Sequence, residues 1–563
     1  MRIALSTLGR AALAFVLVSC SSGTSSIDSS TAADSGGGGR GGSLGAGGGP
    51  GAGGAAPSGG SGGEATTRSD ASDPGDTASD ATAGNRDGHG TGDSLENGAG
   101  GSGGGGSVAT GGALGSGGAL ASGGIVGTGG AGSGGQSTLP AGVTALFPAP
   151  GATGVCPDPP LRITFASPPA LGTSGKIQVF TSSGTAVATV DMAAATITDT
   201  IGGTQFVLLR PVYVDGNSAV IYLKNKALAY GQTYYVTVDA GAIKPATGAL
   251  AITGQATWKF TTAAATPSTL SALAVALDGS GQFCTIQGAT DALPANNTAA
   301  STITIAAGTY HEVMHVANKS NITLHGTDRS ETFIVGTNNN TQQGSAAGTK
   351  NRALLGFDST NGLVVENVTI QNLTPQGGTQ AEALRMQNCD QCIVRNSDVW
   401  SLQDTLLWSG RIYAENDLIV GNVDYVWGTG VVYFNKCELR TVGISGGYIV
   451  QSRNAVGAYG YVFVDCKLTV DATSKNNWLA RIDASTYSGS HVAYINCQMT
   501  GIAAAGWNIT GGSSSSLRFW EYQSTDASGA SLSTSGRTGG TQISASQATS
   551  MRDPTVVLAG WKP

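Results

Sequence analysis

The chain has 563 residues, 88 of them glycine, with 12% charged and 40% hydrophobic residues and a formal net charge of -7. That negative balance argues against a nucleic-acid partner. Glycine crowds the chain before residue 139, and the more than 400 residues beyond it exceed what one core usually holds, so two folded domains are expected.

In residues 1–19, Arg2 and Arg10 flank the apolar run Ala11 to Val18. The run is too short to span a bilayer and reads as a signal peptide. It ends in LVSC, Leu17 to Cys20, which resembles a bacterial lipobox and would make Cys20 the lipidated first residue of the mature protein. The competing reading is an ordinary secretory signal with a chance cysteine and a secreted product. By resemblance to proteobacterial lipoproteins, Ser21 rather than aspartate after Cys20 favours the outer membrane, with the protein facing the periplasm or the cell surface. The several acyl chains of that modification would hold firmly, whereas one binds only marginally. Residues 20–139 are Gly, Ser, Ala and Thr with scattered Asp. Such a segment cannot bury enough apolar surface to offset its chain entropy, so a disordered tether is expected, with a reach of roughly 50 to 65 Å. Its GG pairs lack the preceding strand and following apolar helix of a nucleotide-binding loop.

Residues 140–263 alternate in short runs: LRITF (Leu161 to Phe165), KIQVF (Lys176 to Phe180), AVIYL (Ala219 to Leu223), TYYVTV (Thr233 to Val238) and ATWKFTT (Ala256 to Thr262). Gly, Pro and Asn punctuate them at the spacing of a β-sandwich. FPAPGATGV, LRITF and WKFTT resemble the bacterial immunoglobulin-like domains of surface proteins. With no evident cluster of exposed aromatics or acidic ligands, a spacer is favoured over a carbohydrate-binding module.

Residues 268–563 repeat an alternating apolar run, a polar residue, a small or sulfur-bearing residue and an apolar residue two positions on. VVENVTI, VRNSDV, AENDL, FNKCEL, VDCKL and INCQM align Val368, Ser397, Asn416, Cys437, Cys466 and Cys497, at spacings of 29, 19, 21, 29 and 31. Irregular spacing suits a right-handed parallel β-helix interrupted by loops. No long 3.6-residue period competes, and the runs are rich in Val, Ile, Thr and Tyr. The fold class is therefore all-β.

Within this region QAEAL (Gln380 to Leu384), LQDTLLWSG (Leu402 to Gly410) and GNVDYVWGTG (Gly421 to Gly430) place Gln380, Asp404 and Asp424 at intervals of 24 and 20 residues. If that is one coil, they stack on one face about 5 Å apart. Two carboxylates with amides beside them suit acyl chemistry: one attacks a carbonyl, one carries the proton, and the amides hold the oxyanion. The same spacing also suits a solvated polar face of a solenoid.

DGSGQFCTIQGA, ITIAAGTYHEVMHV, QAEAL, LQDTLLWSGRIY, GNVDYVWG, GYIVQSR, LARI, AGW and RFWEY occur in the order of the pectinesterase (pectin methylesterase) family and cover essentially the whole second domain. The resemblance implies Asp424 of VDYVWG as nucleophile and Asp404 of QDTL as acid and then base. It implies Gln380 and Gln403 as the oxyanion site and Arg481 of LARID as the residue that holds the nucleophile. The implied reaction releases methanol from methyl-esterified polygalacturonate in a monomer, with no metal and no other cofactor. The five histidines show no ligand spacing, and Ser409 and Ser485 lack a nucleophile-elbow context. Trp427, Trp408, Gln451 and Trp507 are expected to line the sugar cleft. LGRPW of the family is LARID here, which removes a tryptophan at Asp483, and Trp427 replaces the second phenylalanine of DFIFG.

The rivals are an acyl thioesterase on the same scaffold and a non-catalytic glycan-binding β-helix. The presence of Gln380, Gln403, Asp404, Asp424 and Arg481 together favours an enzyme over the latter. Cys437 and Cys466 stack on adjacent coils at a separation a disulfide tolerates, and the family's matching pair is bridged, so a Cys437 to Cys466 disulfide is expected. Cys497 is next in line and could compete, and Cys389 and Cys392 are left open.

Overall fold

The computed structural model describes residues 139–377 and 379–563. The signal peptide, Cys20 and nearly all of the tether lie outside the described residues.

Residues 143–262 form the sandwich that alternation predicts, because every second side chain of a strand falls on one face. One antiparallel sheet pairs Val143–Phe147, Leu161–Phe165, Ser218–Ile221 and Val212–Asp215; the other pairs Lys259–Thr261, Thr233–Val238, Lys176–Thr181 and Ala186–Asp191. Ile163, Ile177, Val236 and Phe260 meet between the sheets, with Trp258 fully buried and donating from Nε1 to the carbonyl of Pro148 at 2.8 Å. A further hairpin, Thr196–Ile201 with Thr204–Leu209, belongs to neither sheet.

Beyond residue 272 the chain coils through three parallel sheets of eleven, eight and eight strands, so the β-helix expectation holds. The sharp corner between the first and second sheets is a single left-handed residue: Asn367, Asn396, Asn416, Lys436, Asp465 and Asn496 have φ of 52 to 60°. Asparagine and aspartate tolerate this region because their short polar side chains bond locally. Directly after the corner come Val368, Ser397, Asp417, Cys437, Cys466 and Cys497, which stack coil on coil. Asn416, expected in this row, is itself a corner residue, and Asp417 takes the stacked place.

The stacked cysteines are free thiols, which corrects the expected Cys437 to Cys466 bridge. Each thiol donates to the carbonyl two residues before it: Cys437 to Asn435 at 3.5 Å, Cys466 to Val464 at 3.4 Å and Cys497 to Ile495 at 3.6 Å. Cys466 and Cys497 also reach a carbonyl of the coil before, Cys466 that of Phe434 at 3.5 Å and Cys497 that of Phe463 at 3.5 Å, so these sulfurs serve backbone carbonyls and not one another as a bridge. Among the described residues the disulfide is Cys156 to Cys284, with Cα atoms 6.0 Å apart, and it joins the two domains. Next to it the Asp158 carboxylate accepts from the backbone N–H of Cys284 at 3.0 Å and of Thr285 at 2.9 Å, at the start of the helix Ile286–Ala292. The sandwich is docked on the β-helix rather than strung loosely before it.

Candidate active site

The site lies along the third sheet, whose strands include Leu384–Gln387, Leu406–Trp408, Val426–Gly428, Tyr448–Ser452 and Trp478–Asp483. Leu384, Leu406, Val426, Val450 and Ala480 pair in one row and point into the core. Two residues before that row stand Glu382, Asp404, Asp424 and Tyr448. Strict alternation would send these side chains into the core as well. Instead Asp404 and Asp424 take left-handed φ of 66° and 45°. The left-handed step breaks the alternation, and such conformations in non-glycine residues cost energy and concentrate at functional sites. The two aspartates repeat one local geometry a coil apart, about 4.8 Å along the stack.

Each carboxylate rests on an arginine. Asp404, 4% exposed, accepts from Arg352 Nη2 at 2.9 Å on Oδ2. The same guanidinium forks onto Glu382, with Nε 3.0 Å from each carboxylate oxygen and Nη2 2.8 Å from Oε1. Arg352 and Glu382 are fully enclosed. Asp424, 3% exposed, pairs with Arg481, whose guanidinium lies 4.5 Å from the Tyr448 ring centroid. Gln451 Nε2 reaches Asp424 Oδ2 at 3.5 Å, and its Oε1 accepts from Arg453 Nε at 3.0 Å and Nη2 at 2.6 Å.

Gln403 bridges to Val423 beside Asp404, and the carbonyl of Gln403 accepts from Ala381 N at 3.2 Å. Thr379 Oγ1 donates to Gln380 Oε1 at 2.9 Å, which fixes which way the amide faces. Gln380 does not stack beneath Asp404 as its spacing suggested; Glu382 does.

Alternation also sorts the aromatics. Trp427 falls on the outer row with Leu407, Gln451 and Arg481. It lies between two guanidiniums, 5.6 Å from Arg352 and 4.8 Å from Arg453, and is 4% exposed. Trp408 is in the core, stacked on Phe434 at 5.6 Å, and Trp507 is in the core against Phe519 at 4.8 Å. These two do not line a cleft, which corrects the expectation for both. Each shares the inward parity of a core row, Trp408 with Leu406 and Trp507 with its paired Ala480.

Arg352, Glu382 and Arg453 were absent from the sequence reading. Glu382 had a signal: it precedes Leu384 by two residues, as Asp404 precedes Leu406 and Asp424 precedes Val426. As for metals, the cluster of suitable side chains among the described residues is Cys156, Asp158 and Cys284, and its sulfurs are bonded to each other.

The pectinesterase family model matches residues 272–553, half of the chain, and the bacterial Ig-like domain model matches residues 137–262. Pectinesterase 31 of Arabidopsis thaliana is 32% identical over 219 residues, 37% of this chain and 68% of that protein. Pectinesterase 1 of Citrus sinensis is 31% identical over 283 residues, 47% of this chain and 46% of that protein. Among solved structures, pectin methylesterase from carrot is 25% identical with a TM-score of 0.47, covering 52% of this chain and 95% of that one. On the family model and the Arabidopsis relative, the chain belongs to the pectinesterase family.

Proposed function

We propose that the protein hydrolyses the methyl esters of pectin through Asp424 and Asp404. The observation that carries this reading is the pair of left-handed aspartates one coil apart, each on its own arginine. Arg481 keeps Asp424 ionised by pairing with the anion. An Oδ of Asp424 bonds to the C6 carbonyl carbon of a galacturonate methyl ester, and the amides hold the oxyanion that forms. On collapse the C–O bond to the methoxy group breaks, and Asp404 gives it a proton to release methanol. The resulting acyl-Asp424 is attacked by water, whose proton passes to Asp404. Breaking the acyl bond frees Asp424, returns Asp404 to its acid form and releases the C6 carboxylic acid, which then ionises.

The test measures methanol from esterified pectin and free thiol from an acyl thioester side by side. Asp424→Asn should lower methanol release by several orders of magnitude. Asp404→Asn should lower it by ~10² to 10⁴, and Gln380→Ala by ~10² to 10³. Near-normal methanol release by a folded Asp424→Asn protein would refute the nucleophile. Thiol release without methanol release would move the substrate to thioesters on the same residues.

We further propose that Cys20 is lipidated and holds the enzyme at the outer membrane by its tether. The support is LVSC after an apolar run flanked by Arg2 and Arg10. Cys20→Ser should leave the membrane fraction and take up no labelled fatty acid.

A further inference from the structure

The hairpin that belongs to neither sheet of the Ig-like domain reaches the loop that carries Arg352. The carbonyl of Val207 accepts from Gln343 Nε2 at 2.7 Å and from Gln342 Nε2 at 2.7 Å, and Val207 N donates to Gln343 Oε1 at 3.0 Å. The carbonyl of Gln205 accepts from Asn351 Nδ2 at 2.8 Å. At the hairpin tip Gly202 has φ of 54°, and a Cβ there would lie 2.0 Å from the carbonyl oxygen of His315. Only glycine fits so close an approach.

From Gln343 the contacts run inward. Its Nε2 also donates to Asn338 Oδ1 at 2.6 Å. The amide nitrogen of the fully buried Asn338 donates to the carbonyls of Asn351 at 2.8 Å and Ala353 at 2.7 Å, one on each side of Arg352. In the same loop Asn340 N donates to the carbonyl of Gln380 at 3.0 Å. The Gln343 amide therefore uses both of its hydrogens, one on the hairpin and one on the asparagine that clamps the backbone around Arg352.

We propose that Gln343 is a positioning residue through which the Ig-like domain sets Arg352, and through Arg352 the Asp404 carboxylate. The inference rests on the reading of Asp404 as acid and base given above. Because the chain of contacts ends on a proton-transfer group and not on a sugar-binding surface, its loss acts on turnover and spares affinity. Misplacement by about an ångström costs up to ~10² in rate.

Gln342 supplies the control, since its side chain meets the same carbonyl of Val207 while Asn338 receives its bond from Gln343. In the full-length protein, kcat and KM for methanol release from esterified pectin are compared for Gln343→Ala, Gln342→Ala and Asp404→Asn, with thermal melts alongside. Gln343→Ala is expected to lower kcat by ~10- to 100-fold with KM within about twofold, and Gln342→Ala to leave kcat unchanged. Gln343→Glu keeps the acceptor for Val207 N and most of the volume but loses both donors. It is expected to show the same loss in kcat, and it serves if the alanine variant does not fold. If Gln343→Ala and Gln342→Ala both lower only the melting temperature, or change kcat equally, while Asp404→Asn abolishes turnover, the positioning role is overturned and the catalytic reading stands. If Asp404→Asn retains turnover, the catalytic reading falls and the inference falls with it.

Discussion

Arg352 sits between two carboxylates, and its worth to the fold is separable from its worth to the chemistry. Both it and Glu382 are fully enclosed, so removing the guanidinium strands a buried anion. Breaking a buried pair on one side costs about 3 to 5 kcal/mol. Arg352→Met should therefore lower the unfolding free energy by that order in denaturant melts, and adding Glu382→Gln to it should restore much of the loss. A single variant as stable as wild type would show that the Glu382 charge is met some other way. Asp404, Asp424 and Arg481 were legible in the sequence because the motifs that carry them are contiguous. Arg352 was not, because it comes from the loop before an earlier coil and meets Asp404 only when the coils stack. The tryptophans needed parity rather than composition. Trp408 lies two residues after the core residue Leu406, and Trp427 one after the core residue Val426, so alternation alone assigns the first inward and the second outward.

At the scale of the coil, the corner and the stacked residue after it do different work. The corner needs a residue that tolerates left-handed φ, and asparagine fills most such places. The next residue is buried, and there the row runs Val368, Ser397, Asp417, Cys437, Cys466, Cys497. Asp417 is the odd member. It is 3% exposed, its Oδ1 accepts from Ser397 N at 2.8 Å, and burial pushes its carboxyl well above the usual aspartate range. A carboxyl raised in the folded state holds its proton there to higher pH than in the unfolded chain. Its contribution is thus fully present below the unfolded value near 4 and is lost as pH rises toward the folded one. Asp417→Asn keeps the acceptor for Ser397 and removes the ionisation. The variant should melt higher than wild type at pH 8, with the gap closing toward pH 4, in parallel thermal scans. A gap that is constant with pH would mean the carboxyl does not titrate on folding. The one-residue slip in the sequence alignment has the same origin: an acid was not counted among the small or sulfur-bearing residues that a buried row admits.

For the whole molecule, two domains and the seam between them are legible in the sequence, because the alternating runs end near residue 262 and the coil repeat begins beyond it. A disulfide between the two domains is not legible there. Cys156 and Cys284 lie 128 residues apart, one in each domain, and neither has a neighbouring cysteine to suggest a partner. The stacked row attracted the prediction instead, because its coil spacing suits a disulfide, yet its thiols are free. Non-reducing peptide mapping of the unfolded protein should recover Cys156 linked to Cys284 and alkylate Cys389, Cys392, Cys437, Cys466 and Cys497. Closing a loop of this length restricts the unfolded chain by about 4 to 5 kcal/mol on the chain-entropy account. The bridge also joins the sandwich to the residue before Thr285, the N-cap of the helix Ile286–Ala292, so it fixes the docking as well as the loop. Cys156→Ser with Cys284→Ser should consequently lower the melting temperature and split one calorimetric transition into two, with the sandwich melting apart from the β-helix. A single transition at the wild-type temperature would show that packing and hydrogen bonds across the seam hold the domains together without the bridge.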